Sequence, residues 1–159
     1  MMTQFPGAGD PMPDVALEAA DGSAVRPSDF RARKLVLFFY PKDDTPGCTT
    51  ENIDFSALAG DFAKADTALL GVSKDPPAKH ARFTAKHNLS APLASDALEN
   101  GLADALGVWT MKSLYGRKFL GMERSTYLVD REGRIARVWR KVKVKGHAAE
   151  VLEAARALP

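Results

Sequence analysis

The one cysteine of the chain, Cys48, stands in the run Tyr40-Pro-Lys-Asp-Asp-Thr-Pro-Gly-Cys-Thr-Thr-Glu51, among residue types that suit thiol chemistry. Thr45 followed by Pro46 is a common way to start a helix: the hydroxyl caps free N–H groups, and proline's fixed φ and missing N–H do no harm at the first helical position. That register puts Cys48 in the first turn. There, unpaired N–H donors and the positive end of the helix dipole favour thiolate over thiol. Thr45 can accept a hydrogen bond while donating its own proton to sulfur or to a bound oxygen. Far along the chain, Arg124 offers a permanent charge with several donors.

Each of these residues also has an ordinary explanation. A lone cysteine is by default a small buried core residue. Thr45 is by default only a cap, and Arg124 a strand-surface arginine. Placement favours chemistry, because a cysteine on a Pro/Gly-rich helix start, just past the C-terminal end of a strand, sits where open α/β sheets bind ligands. A thiolate alone gains little. Lowering a thiol pKa from about 8.5 to about 6 raises the thiolate fraction at pH 7 about thirtyfold, but a Brønsted slope of about 0.4–0.5 takes back roughly tenfold or more. Fast chemistry at such a site must come from aligning the bond to be broken and stabilising charge on the departing atom.

The elements that must position these residues follow from patterning. Leu35 to Tyr40 is a continuous apolar run stopped by Pro41, as in a central strand covered on both faces. Phe55, Leu58, Ala59 and Phe62 continue a helix to about Ala63, and Thr67 to Ser73 is the next strand, completing a parallel crossover unit. Asp75 is expected to cap a helix begun by Pro76 and Pro77, with Ala78, Ala81 and Ala85 on one side, ending near Asn88. A short strand, Pro92 to Ser95, follows. Asp96 and Glu99 then form a capping-box-like pair before Leu98, Leu102, Ala105 and Leu106, with Gly107 as the stop. Val108 to Gly121 reads as an irregular loop. Met122 to Val129 and Ile135 to Arg140 flank a hairpin turn, and a last helix runs from about His147 to Ala157, with Ala148, Val151, Leu152 and Ala155 inward. Upstream, Phe5 to Pro13 is a Pro/Gly-rich lead-in. Val15, Leu17 and Ala19 alternate before the Asp21-Gly22 turn, which suggests short edge strands.

With 159 residues, 45% of them hydrophobic, the chain is read as one domain, residues 1–159, with 1–12 as lead-in. A net charge of +2 makes nucleic acid no default partner. Arg131 to Lys145 does carry seven positive charges against Glu132, which reads as a solvated hairpin and loop. One cysteine excludes an internal disulfide and a Cys-x-x-Cys pair. His80, His87 and His147 lack zinc-ligand spacing and are expected at the surface or at helix ends, so no metal and no cofactor is expected. Met1 to Asp14 shows no basic-then-apolar pattern, and no apolar run nears the roughly 18 residues of a membrane span. A cytoplasmic protein without a membrane partner is the expectation.

The spacing of Pro41, Thr45 and Cys48 resembles the active-site pattern of the peroxiredoxins. The run Tyr40 to Glu51, with Gly121-Met-Glu-Arg-Ser-Thr-Tyr-Leu-Val-Asp130, is similar to the branch called bacterioferritin comigratory protein or peroxiredoxin Q, over the chain from about Gly9 to the last helix. The resemblance implies a thioredoxin-like α/β fold, a mixed central sheet flanked by helices with an N-terminal β-hairpin extension. It also implies a thiol-dependent peroxidase acting on hydrogen peroxide and organic hydroperoxides. Carried over, Cys48 is the peroxidatic cysteine, Thr45 holds the peroxide, Pro41 shields the sulfur and Arg124 activates the site. Gly47 and Glu51 support them, Glu51 by orienting an arginine. Asp43 and Asp44, beside the same loop, are expected to oppose thiolate formation slightly.

One departure matters. Many members of the branch carry a second cysteine five residues after the first, and this chain has Ile53 there; others place it in the following helix, where this chain has none. The expected cycle is therefore one-cysteine, with the sulfenic acid resolved by an external thiol: glutathione, a glutaredoxin or thioredoxin. A monomer is expected from the resemblance. Trp109, Tyr115 and Phe119 leave a dimer contact, an apolar peroxide pocket or plain core packing open. Two rivals remain: a thioredoxin-like binding or chaperone module, which leaves Pro41, Thr45 and Arg124 unexplained, and a thiol–disulfide oxidoreductase, which lacks its second cysteine.

Overall fold

Lys34–Phe39 forms strand β3 of a computed structural model that describes residues 5–97 and 99–159, and all six of its residues are buried. Alternate residues face opposite ways. Leu35, Leu37 and Phe39 join one core with Leu102, Leu106 and Tyr127. Val36 and Phe38, with Tyr40 just beyond the strand, join the other core with Phe55, Phe62 and Val151. Lys34 opens the strand from inside the protein, its Nζ donating to the Ala155 and Leu158 carbonyls at the end of the last helix.

Strand β3 pairs in parallel with β4 (Thr67–Ser73), which pairs in parallel with β5 (Leu93–Ser95). On its other side β3 meets β8 (Ser125–Val129) antiparallel, and β8 meets β9 (Ile135–Trp139). The N-terminal hairpin, β1 (Leu17–Ala19) and β2 (Ala24–Val25), attaches antiparallel to β5. Among the described residues this gives one sheet ordered β2-β1-β5-β4-β3-β8-β9, mixed in sense and with the hairpin at its edge. The expected mixed sheet with an N-terminal hairpin extension is what forms. Among the described residues no helix is long and apolar enough to cross a membrane.

The helices depart from expectation in instructive ways. The first ends early: α1 (Pro46–Ala57) gives way to α2 (Ala59–Lys64), and at Leu58 the N–H is shared between the Asp54 and Phe55 carbonyls as the coil tightens. Helix α3 (Pro77–His87) has Pro76 rather than Asp75 at its N-cap. Its alanines, Ala78, Ala81 and Ala85, face solvent, while His80 and Phe83 point inward because the larger rings gain more from burial. Helix α4 (Leu102–Leu106) is a short piece of the one expected; Leu98 lies outside the described residues. Asp96 caps it from a distance, accepting the N–H groups of Leu102 and Ala103 at 3.1 and 2.7 Å, so no Asp96–Glu99 box forms. Gly107 ends it in the left-handed conformation, φ +75°. Helix α5 (His147–Ala157) has the expected bounds and buries the expected residues.

The expected irregular loop is instead a separate hairpin, β6 (Trp109–Leu114) with β7 (Arg117–Met122), turned by Tyr115 and Gly116 at φ +51° and +76°. Positive φ at both central residues is what a tight two-residue hairpin turn requires, and a tyrosine in the first place hides that signal. Tyr115 is 96% exposed, which rules out core packing for it, whereas Trp109 packs partly against the core. In the basic stretch, Arg131 pairs with Asp66, Arg137 with Glu150 and Arg140 with Glu123.

Candidate active site

Strand β3 ends at Phe39, Tyr40 and Pro41 lead out of the sheet, and α1 begins with Thr45 as N-cap and Pro46 at its first position. Cys48 is then the third helical residue, still within the turn whose N–H groups lack helical partners. It is a free cysteine with 1% of its surface exposed. Its carbonyl accepts from Asn52 Nδ2 at 3.0 Å.

Arg124 reaches this sulfur from 76 residues on, its Nη2 donating to Sγ at 3.3 Å. Its other arm, Nη1, donates to Glu51 Oε1 at 2.7 Å. Cys48 and Glu51 are three apart on α1 and so share a face, which lets one rigid guanidinium fork span both. The expected strand from Met122 to Val129 is broken here: β7 stops at Met122, β8 starts at Ser125, and Arg124 projects from between them, its carbonyl held by the Val142 N–H at 2.9 Å. Gly47 makes room, because a Cβ there would stand 3.2 Å from Arg124 Nη2.

Charge at the site is divided unevenly. Burial pushes the Glu51 carboxyl up to about 7 in spite of Arg124, and its Oε2 is buried with no hydrogen-bond partner among the described residues. For Arg124, burial works against the charge, but Glu51 and Cys48 outweigh it and hold the guanidinium above its ordinary value.

Three expectations need correction. The Thr45 hydroxyl makes no bond to a helix N–H; it donates to the Lys42 carbonyl at 2.8 Å, so its proton is engaged and its lone pairs are free. Asp44 is paired with Lys86 and His87, and Asp43 is buried against Tyr40 and His80, so neither is left as a bare charge. His80, expected at the surface or at a helix end, lies inside α3 and is 0% exposed, whereas His147 stands at the start of α5 as expected, though only 7% of it is exposed. Pro41 is half-buried at the mouth of the loop.

Two neighbours escaped the sequence. Lys112 on β6 donates its Nζ to the Met122 carbonyl at 2.5 Å; burial and then Arg124 lower its affinity for the proton while Cys48 raises it. The stretch had no readable period, so nothing in the sequence pointed there. His147, whose Nε2 lies 2.8 Å from Thr126 Oγ1, is pushed down to about 4 by burial, with Glu150 opposing and Arg124 assisting.

A profile of the AhpC/TSA family matches residues 8–138. The chain belongs to that family. It is 48% identical over 145 residues to peroxiredoxin Bcp of Bacillus subtilis, covering 91% of this chain and 92% of that one. The structure of peroxiredoxin Q from Xanthomonas campestris superposes with a TM-score of 0.87 at 44% identity, over 94% of this chain and 97% of the other. Another Xanthomonas campestris structure, of a bacterioferritin comigratory protein studied for its alkyl peroxide reduction activity, gives 0.87 at 43% identity over 94% and 98%. The chain is thus a thioredoxin-like peroxiredoxin of the Bcp and peroxiredoxin Q branch, with one cysteine, and a thiol peroxidase.

Proposed function

We propose that this peroxiredoxin reduces hydrogen peroxide and organic hydroperoxides at Cys48, through a sulfenic acid that an external thiol resolves. The observation that carries this is the Arg124 fork, with one arm on the Cys48 sulfur and the other on Glu51. A guanidinium so placed steadies the thiolate and offers donors to the oxygens of a peroxide lying against it. Thr45, with its proton on Lys42 and its lone pairs free, is placed to accept the O–H of ROOH, which aims the peroxide's far oxygen at Arg124. Pro41 shields the sulfur from bulk water, and Gly47 leaves the guanidinium its space.

The sulfur lone pair attacks the terminal peroxide oxygen and the O–O bond breaks. The departing RO⁻ takes a proton and leaves as ROH, and Cys48 becomes the sulfenic acid. An external thiol, R′SH, condenses with it to give a mixed disulfide and water. A second thiol attacks that disulfide, returning Cys48 and releasing R′SSR′. The sequence holds one cysteine, and Ile53, at the place where other members carry a second, is exposed, so the reductant comes from outside: glutathione, a glutaredoxin or thioredoxin.

Stopped-flow mixing of hydrogen peroxide with reduced protein tests the reading. A fast reaction that thiol blocking abolishes, with mass spectrometry showing an oxidised Cys48 and no disulfide, is the expected result. Rapid peroxide consumption by Cys48→Ser would sink the scheme.

A further inference from the structure

The loop that leads from β3 into α1 contains a second buried polar cluster, separate from the Arg124 fork. The Asp43 side chain is 0% exposed. Tyr40 Oη donates to its Oδ1 at 2.5 Å, and His80 Nδ1 on α3 lies 2.7 Å from its Oδ2. The backbone N–H of Asp43 donates to Asp75 Oδ2 at 2.8 Å, and the same oxygen accepts from Ser73 Oγ at 2.7 Å. Ser95 Oγ donates to the Asp75 carbonyl at 2.5 Å. Tyr40, Ser73 and Ser95 stand at the C-terminal ends of β3, β4 and β5, the parallel part of the sheet. The cluster therefore ties together the edge of the sheet from which the Cys48 loop emerges.

The donors are well defined. Burial first, and then the charge of Asp43, keep the Tyr40 phenol protonated, so it donates. A carboxylate only accepts, so His80 carries its proton on Nδ1 and donates as well. Among the described residues His80 Nε2 is buried without a hydrogen-bond partner, which leaves the ring no hydrogen bond there other than those inside the cluster to fix its orientation. Meanwhile the loop has little regular structure to hold it, and Asp44 sits at φ +61°.

We infer that Tyr40, Asp43 and His80 are positioning residues for peroxide reduction: two donors clamp the Asp43 carboxylate and so hold the backbone between Pro41 and Thr45 against α3. The inference rests on the assignment of Pro41, Thr45 and Cys48 above. It gives α3, which supplies no reacting group, a part in the chemistry. A loop freed to move by about 1 Å would misplace Thr45 relative to the sulfur, a displacement worth up to about a hundredfold in rate.

The test compares Tyr40→Phe, His80→Leu, His80→Asn and Cys48→Ser by three readouts: the peroxide rate, the rate of alkylation by iodoacetamide and the unfolding midpoint. Tyr40→Phe and His80→Leu, folded by circular dichroism, are expected to lose about tenfold or more in peroxide rate while alkylation stays within about twofold, since alkylation needs no aligned peroxide. His80→Asn, whose amide can donate to Asp43 from nearly the Nδ1 position, is expected to recover most of that loss. A lowered midpoint with an undiminished peroxide rate in both Tyr40→Phe and His80→Leu would make the cluster structural only and overturn the inference. Retained turnover by Cys48→Ser would overturn the Cys48 reading and this one with it. An inactive Cys48→Ser beside undiminished clamp variants would overturn the clamp alone.

Discussion

Glu51 and Asp43 are both buried carboxylates within a few residues of Cys48, and they are held in opposite ways. Asp43 has a donor on each oxygen and a third bond through its own N–H, to partners just past the ends of β3 and β4 or on α3. Glu51 has one oxygen on Arg124 and the other without a hydrogen-bond partner among the described residues, and burial pushes its carboxyl up to about 7. Full satisfaction makes Asp43 a fixed anchor for the loop. Partial satisfaction makes Glu51 a group whose charge changes near neutral pH, joined by one guanidinium to the reacting sulfur. The contrast assigns geometry to one end of the loop and adjustable charge to the other.

Removing the shared guanidinium should give the largest effect. Arg124→Ala is expected to lower the peroxide rate about 10²–10³-fold, as for loss of a principal charge-stabilising donor. Alkylation of Cys48 should fall far less. Arg124→Lys keeps the charge but cannot span Sγ and Glu51 together, so it should recover only part of the loss. Equal losses in alkylation and peroxide rates would mean that Arg124 acts on the thiol alone. Next comes Asp43→Ala, which leaves the Tyr40 hydroxyl and the His80 N–H without their acceptor. At about 1–3 kcal/mol for each stranded donor, the expected loss is about 3 kcal/mol, read as a lower denaturant midpoint at unchanged slope. A loss under about 1 kcal/mol would put Asp43 on a level with Glu51 and dissolve the contrast.

The difference between these carboxylates could not be read from the chain. Both lie in the run Tyr40 to Glu51, where the apolar strand, the Thr45-Pro46 helix start and the thiol in the first turn are all local patterns, and all form as expected save the Thr45 capping bond. Arg124 was legible as a candidate through resemblance, but its bond to Glu51 depends on a gap between β7 and β8 that the continuous-looking run Met122 to Val129 conceals. His80 was invisible for a related reason. The alanines of α3 mark a face by spacing, yet the heavier His80 and Phe83 take the interior, and no local rule says which of two weak faces will win. Asp43 and Asp44 are adjacent and identical in type, and only the tertiary structure sends one inward and the other to Lys86.

Titration offers a finer test of the adjustable end. Glu51 holds its proton more tightly in the fold than its ordinary 4.5 would give, so between pH 4.5 and about 7 the folded state binds more protons and stability falls as pH rises. His147 works in the opposite direction: pushed down to about 4 from 6.5, it makes stability rise with pH between those values. The two slopes oppose each other in wild type, so the measurement is the difference between wild type and Glu51→Gln. That difference should move in favour of the variant as pH rises from 4.5 to 7.5, by up to about 3 kcal/mol. A gap that is flat with pH would show that Glu51 titrates as an ordinary surface carboxyl.

The smallest change probes the space between the two ends. Gly47 sits at the second position of α1 with an ordinary backbone, so alanine there should favour the helix by up to about 1 kcal/mol. Its new Cβ, however, would stand 3.2 Å from Arg124 Nη2, close enough to shift the guanidinium by a few tenths of an ångström. Arg124 is also held by Glu51, which is buried and has no other hydrogen bond from its carboxylate among the described residues, so the fork should tilt away from the sulfur rather than from the carboxylate. Gly47→Ala is therefore expected to be at least as stable as wild type in thermal unfolding and slower with peroxide by about two- to tenfold. The Asp43 clamp should be untouched, so alkylation of Cys48 should stay near the wild-type rate. A stable variant with an undiminished peroxide rate would show that the guanidinium tolerates displacement, and that its contact with Cys48 is less exacting than the anchoring of the loop.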